Sequence, residues 1–108
     1  MLFAFYFLLP TFYFILMHMK VVVLYRPGSD HSSIVENFVR DLERRNRGSA
    51  RVDLINVDTR DGSATASLYD VMQYPAVLAL QDDGQLLREW EGSTMPLLNE
   101  VSYYTHQV

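Results

Sequence analysis

Four consecutive polar residues, Ser29, Asp30, His31 and Ser32, contain the side-chain types from which a catalytic triad is built. In a triad a hydroxyl attacks, an imidazole accepts its proton and a carboxylate orients the imidazole. Neighbours on one turn of chain rarely align in that series, so helix capping is the simpler interpretation. Serine and aspartate side chains accept hydrogen bonds from unpaired N–H groups at a helix N-terminus, which is worth about 1 kcal/mol. We call residues 29–32 the polar loop.

The polar loop lies between a predicted strand and a predicted helix. Residues 21–25 are apolar on both faces, which is typical of a central strand in a covered sheet, and Pro27-Gly28 ends that strand. Residues 32–47 follow with apolar side chains at helical spacing. Ligands of open α/β folds bind where strands end at helix N-termini, so this edge is the candidate site.

The composition excludes several classes of function. The 108 residues include no cysteine, which rules out thiolate nucleophiles, disulfides and zinc sites built on cysteine. The three histidines stand far apart without ligand spacing, so we expect no metal and no cofactor. Nine basic residues against thirteen acidic ones give a net charge of −4, and no basic aromatic stripe predicts a nucleic-acid partner.

The rest of the chain completes an α/β pattern. The predicted order is β-α-β-α-β-β-α, a mixed four-stranded sheet with helices on both faces. A right-handed crossover makes the first two strands parallel, and Asp83-Gly84 closes a hairpin between the last two. The predicted elements are residues 21–25, 32–47, 52–57, 63–72, 76–80, 86–90 and 94–104.

Each predicted helix has an apolar stripe that we expect to face the sheet. Trp90, at the end of the last strand, is expected to pack in the core or at its rim, as are Tyr69, Tyr103 and Tyr104; exposure of Trp90 on an edge, where a partner could contact it, is the alternative. The stripes are Ile34, Val35, Phe38, Val39 and Leu42 in the first helix; Ala64, Leu68, Val71 and Met72 in the second; and Leu97, Leu98, Val101 and Tyr104 in the third.

Several short motifs occur in an order and at spacings that together are fairly specific for one fold. They are Leu24-Tyr25-Arg26-Pro27-Gly28 at the strand exit, Val57-Asp58, Tyr74-Pro75, Asp83-Gly84 and Gly92. With these motifs the chain resembles the thioredoxin family over residues 20–104. The resemblance implies that Pro75 is the cis-proline of that family and that the polar loop stands in place of its Cys-x-x-Cys pair. It also places Val23 and Leu54 where the family has a buried acid and a lysine.

The replacement of both family cysteines by serines decides what the resemblance implies for function. A serine hydroxyl cannot form a disulfide, so dithiol–disulfide exchange is excluded. In the family, the groove between the active-site loop and the cis-proline holds a substrate polypeptide. The resemblance therefore implies a redox-inactive module that binds a protein or an extended peptide. Its candidate binding residues are Ser29, Asp30, His31, Ser32, Tyr74 and Pro75.

Two alternatives stay open at this point. Glutathione transferases resemble the same scaffold, and Ser29 or Tyr25 is the residue that would activate a bound thiol. Against this, the chain has no all-helical second domain and only the turn Asp82-Asp83-Gly84 where an acid–serine pair would hold glutathione. The other alternative is a structural subunit of a larger assembly.

The first 18 residues differ in composition from residues 19–108, which we assign to the thioredoxin-like domain. Residues 1–17 are almost wholly apolar and are interrupted by Pro10. A helix of that length rises about 25 Å, somewhat less than a bilayer core. Three hypotheses remain: a membrane anchor, a non-native extension before Met19, or an extra apolar element that packs on the domain or, in self-association, on a second copy. A start at Met19 implies a cytoplasmic protein, whereas a native apolar segment implies membrane association.

Overall fold

The computed structural model describes residues 19–45, 51–92 and 94–105, so the hypotheses for residues 1–17 lie outside it. The order of elements is the predicted one, four strands and three helices in these parts of the chain. The elements are β1 (Lys20–Tyr25), α1 (Ser32–Arg45), β2 (Arg51–Asn56), α2 (Arg60–Leu68), β3 (Ala76–Leu80), β4 (Leu86–Glu91) and α3 (Leu98–Thr105).

The sheet has the strand order β2-β1-β3-β4. As predicted, β1 lies parallel to β2, and β3 and β4 form an antiparallel hairpin. β1 also pairs antiparallel with β3, which confirms the mixed sheet. The continuous apolar runs of β1 and β3 occupy the two inner positions, where both of their faces are covered.

Alternate side chains of β1 enter two separate cores, one on each face of the sheet. Val21 and Val23 pack with α1 and with Val101 of α3. Val22 and Leu24 face the other way and pack in the core to which α2 contributes Ala66. This two-residue alternation is the geometry of a strand, and it confirms the prediction of helices on both faces.

The second helix begins and ends earlier than predicted. Thr59 caps its N-terminus by accepting a hydrogen bond from the Gly62 N–H at 3.0 Å. Its C-terminus closes at Asp70, which adopts a left-handed conformation with φ 54°. The Val71 N–H then donates to the Ala66 carbonyl, a Schellman-type end that stops the helix before the predicted apolar stripe is complete.

The prediction of the buried face of α2 was therefore wrong for three of its four residues, and only Val71, which follows the helix, is buried as expected. Leu68 is 73% exposed and Met72, beyond the helix, is 82% exposed, while Ala64 is also exposed. The buried residues of α2 are Gly62 and Ala66. Gly62 lies so close to β2 that a Cβ there would collide with the carbonyl oxygen of Asn56.

The first and last helices also differ in detail from the predicted stripes. In α1 four of the five stripe residues are buried, but Ile34 is 58% exposed. α3 starts at Leu98 rather than at Thr94. At this start the Glu100 carboxylate accepts a hydrogen bond from the Leu97 N–H at 3.1 Å. Leu97 is consequently outside the helix and exposed, whereas Val101 is fully buried.

The outer strand β4 carries one aromatic and one acidic side chain that are each partly buried. Trp90 packs on the core and makes an edge-to-face contact with Tyr104 at 5.8 Å, which confirms the prediction of core or rim packing, and the residue is only partly exposed. Glu89 has a raised pKa, first because of burial and then because of the nearby Glu91 and Asp70 charges. Its Oε2 atom has no hydrogen-bond partner among the described residues.

Candidate functional site

The polar loop is held mainly by backbone hydrogen bonds to itself and to Arg26. The Ser29 N–H and the Ser29 hydroxyl both donate to the Arg26 carbonyl, and the Ser32 N–H donates to the Ser29 carbonyl at 3.1 Å. The Ser29 side chain is thus a donor to the preceding turn rather than an acceptor for α1. Our expectation that it caps the helix was wrong in this respect, and Asp30 points into solvent as an exposed residue.

His31 does not accept a proton from a serine of the loop. Its Nε2 atom accepts a hydrogen bond from the Arg26 N–H at 3.3 Å. The Ser29 hydroxyl proton is directed at a carbonyl oxygen instead of the imidazole. A serine nucleophile requires a hydrogen bond to its base, and this arrangement does not supply one.

The Tyr74–Pro75 turn lies at the same edge of the sheet as the polar loop. Strand pairing places Leu24, near the end of β1, opposite Ala76, the first residue of β3. The loop that follows β1 and the turn that precedes β3 therefore meet. The Tyr74–Pro75 peptide bond is cis, as the family resemblance implied.

The Tyr74–Pro75 turn is tied to the end of β4 by several hydrogen bonds. The Glu91 carboxylate accepts from the Met72 N–H at 2.6 Å and from the Gln73 N–H at 3.0 Å. The Gly92 N–H donates to the Pro75 carbonyl at 3.0 Å. Pro75 is buried and Tyr74 is partly buried, so the turn has a fixed position relative to the sheet.

Sequence reasoning missed Arg26 and Asp58 as site residues. The Arg26 Nε donates to both Asp58 carboxylate oxygens, at 3.0 and 3.1 Å. The Arg26 guanidinium carbon also lies 5.9 Å from the centre of the Tyr74 ring, a cation–π distance. Arg26 therefore connects the polar loop, the exit of β2 and the Tyr74–Pro75 turn.

A signal for this pair was present in the sequence. Arg26 directly follows β1 and Asp58 follows β2 by two residues, and these strands are parallel neighbours. The carboxyl ends of parallel strands meet at one sheet edge, so charges of opposite sign there are expected to pair.

Tyr25 is not placed to activate a thiol. Only 8% of the residue is exposed, and its hydroxyl donates to the Glu36 carboxylate at 3.3 Å. Burial, followed by the neighbouring Glu36 charge, raises the pKa of the Tyr25 phenol. The hydroxyl proton that a thiolate would need is already donated to the Glu36 carboxylate, and the charge of that carboxylate would repel a thiolate beside it.

Among the described residues, no group of three His, Cys, Asp or Glu side chains is arranged to hold a metal ion. No helix within residues 19–45, 51–92 and 94–105 combines the length and apolar character needed to cross a bilayer.

Comparison with known proteins identifies the fold. No family model and no curated protein matches the sequence. Among solved structures, a point mutant of thioredoxin from Halobacterium salinarum has a TM-score of 0.68 and 24% identity, covering 85% of this chain and 79% of that one. Thioredoxin-2 of the malaria parasite has a TM-score of 0.66 and 10% identity, covering 81% of both chains. The chain has a thioredoxin-like fold without a Cys-x-x-Cys pair.

A third structural neighbour comes from work on yeast mitochondrial 1-Cys peroxiredoxin and the glutathione/thioredoxin systems. It has a TM-score of 0.64 and 16% identity, and it covers 89% of this chain and 86% of that one. At such identities the likeness concerns the fold. In this thioredoxin-like chain the polar loop supplies Ser29 and Ser32 where the resemblance places two cysteines. With no cysteine in the sequence, the fold retains no thiol for exchange chemistry.

Proposed function

We propose that this thioredoxin-like chain is a polypeptide-binding module without redox activity of its own. The groove that it uses, which we call the edge groove, consists of the polar loop, Arg26 and the Tyr74–Pro75 turn. The observation that carries the proposal is the meeting of these three parts at one edge of the sheet, with the Arg26 guanidinium 5.9 Å from the Tyr74 ring.

The character of the edge groove favours a polypeptide over a small substrate. Tyr74 offers a partly exposed aromatic surface, and aromatic residues are enriched among binding hot spots. Met72, two residues before it, exposes 82% of its surface, and Ile34, two residues after the polar loop, exposes 58%. Exposed apolar side chains around a polar, hydrogen-bonding centre suit an extended chain that buries some of its own side chains.

The enzymatic alternative has less support than the binding module. The Ser29 hydroxyl is committed to the Arg26 carbonyl, and the Tyr25 phenol is buried against Glu36 with a raised pKa. Both groups would have to change partners before they could stabilise a thiolate.

The proposal is tested with short fluorescein-labelled peptide pools of mixed sequence and fluorescence anisotropy. We expect saturable binding that Tyr74→Ala weakens at least about fivefold, since a truncated aromatic anchor costs about 1 kcal/mol or more. Tyr103→Ala is the matched control because Tyr103 is a 61% exposed tyrosine on α3. Absence of saturable binding, or equal loss with both variants, would refute the edge groove as the binding site.

A further inference from the structure

The Arg26 guanidinium, which is part of the edge groove, has donors that remain available to a ligand. Its Nε atom donates a hydrogen bond to the Asp58 carboxylate, but its two terminal Nη groups donate to no acceptor among the described residues. The side chain keeps 53% of its surface exposed despite this pair. Two coplanar N–H donors on the end of a guanidinium match the two oxygens of a carboxylate.

The position of this guanidinium is fixed from several directions. Asp58 holds its inner edge, and the Tyr74 ring lies against it. The backbone of Arg26 is also restrained, because its N–H donates to His31 and its carbonyl accepts from Ser29. A side chain whose motion is already restricted loses less entropy when it binds, so its donors contribute more to affinity than those of an unrestrained arginine.

We propose that Arg26 makes the edge groove selective for peptides that carry a carboxylate near the residue lying over Tyr74. This inference rests on the proposed function and adds the chemical class of the ligand to it. The carboxylate comes from either of two sources, an Asp or Glu side chain or a free C-terminus. Asp58 balances the charge of Arg26 but leaves its outer donors open, so the selection works through hydrogen-bond geometry more than through net charge.

Asp30, at the same edge, carries a negative charge that opposes the binding of a carboxylate. It is exposed within the polar loop and would attract a basic residue of a peptide. Unlike Arg26, its side chain has no hydrogen bond among the described residues that fixes its orientation. We therefore expect the ordered guanidinium to decide the preference.

The wild-type chain tests the inference directly. Three labelled peptide pools of equal length carry, at one fixed internal position, Glu, Gln or Lys, and each pool is made with a free and with an amidated C-terminus. We expect either the Glu pools or the free C-terminus pools to bind about tenfold more tightly than the amidated Gln pool. Tighter binding of the Glu pools identifies an acidic side chain as the source of the carboxylate, and tighter binding of the free C-terminus pools identifies the C-terminus.

Variants separate recognition from a structural role of Arg26. The readout is the ratio of acidic to neutral affinity, because a merely loosened groove would weaken both pools alike. Arg26→Gln should reduce this ratio to about one, and Arg26→Lys should recover only a small part of it, since an ammonium lacks the planar fork. Arg88→Gln, an exposed arginine on β4, is the matched control and should leave the ratio unchanged.

The possible failures are distinguishable. Equal binding of acidic and neutral pools, with both still dependent on Tyr74, would overturn the selectivity and leave the proposed function in place. Preference for the Lys pool would overturn it as well and would assign the selection to Asp30. Failure of every pool to bind the wild-type chain would overturn the proposed function and, with it, this inference.

Discussion

The Arg26–Asp58 ion pair allows a quantitative test of the site geometry. We consider the variants Arg26→Gln and Asp58→Asn and their combination, which form a double-mutant cycle. The nitrogen and oxygen atoms lie 3.0 Å apart, but the two side chains are 53% and 55% exposed. Solvent at that exposure reduces the attraction, so we expect a coupling energy of about 0.5 kcal/mol and not above about 1 kcal/mol.

This coupling is measurable by urea unfolding. A small domain loses about 1–2 kcal/mol of stability per molar urea, so 0.5 kcal/mol moves the midpoint by roughly 0.3–0.5 M. The coupling should shrink in about 1 M salt, where the Debye length is near 3 Å. A zero coupling in low salt would mean that the pair does not form. A coupling above about 2 kcal/mol would mean that the pair is buried, contrary to the structure.

The Asp41–Arg44 pair on α1 provides the matched control. It has the same 3.0 Å separation and comparable exposure, but it lies within one helix. We expect a similar effect on stability from its disruption. Only disruption of the Arg26–Asp58 pair should also change peptide affinity, because only that pair positions a residue of the edge groove.

Three further predictions concern packing, protonation and redox chemistry. Gly62→Ala should lower the free energy of unfolding, measured in urea, by about 3 kcal/mol or more because the added Cβ collides with Asn56. Gly28→Ala is the control: Gly28 lies in open space at φ +78°, so this variant should lose only about 1–2 kcal/mol. Equal losses in the two variants would contradict the close approach of Gly62 to Asn56. The raised pKa of Glu89 means that the folded state binds its proton more tightly than the unfolded state does, so wild-type stability falls as pH rises from about 4.5 through that raised pKa. Glu89→Gln should therefore be more stable than wild type at pH 7 but not at pH 4. If the stability difference between the two proteins is the same at both pH values, the pKa of Glu89 is not raised. The purified chain should not accelerate insulin reduction by dithiothreitol, and any acceleration above the uncatalysed rate would contradict the loss of exchange chemistry.

The order of elements could be predicted because the strands have distinctive sequences. β1 and β3 are continuous apolar runs bounded by Pro-Gly and by Tyr-Pro, so their type and central position follow from composition alone. The boundaries of α2 could not be predicted in the same way. Its end depends on Asp70 adopting a left-handed conformation, which a non-glycine residue does uncommonly and which no short pattern announces.

The candidate site was only partly predictable. The polar loop and Tyr74-Pro75 are local motifs, so their type and place could be inferred from neighbouring residues. The Arg26–Asp58 pair joins residues 32 positions apart, and it becomes visible only when parallel β1 and β2 are placed side by side. The direction of the Ser29 hydroxyl was equally hidden, because a serine at a loop can donate backward or accept forward with similar ease.

The most direct test of the central claim is to map peptide binding onto the fold by NMR. A ¹⁵N-labelled chain is titrated with the acidic peptide pool, and amide shifts are followed residue by residue. We predict that the shifts concentrate at residues 26–32 and 72–75 and that Tyr74→Ala needs at least about fivefold more peptide to reach the same shifts. Shifts confined to another surface, such as the Trp90 indole and α3, would contradict the claim that this cysteine-free thioredoxin-like fold binds polypeptides at its edge groove.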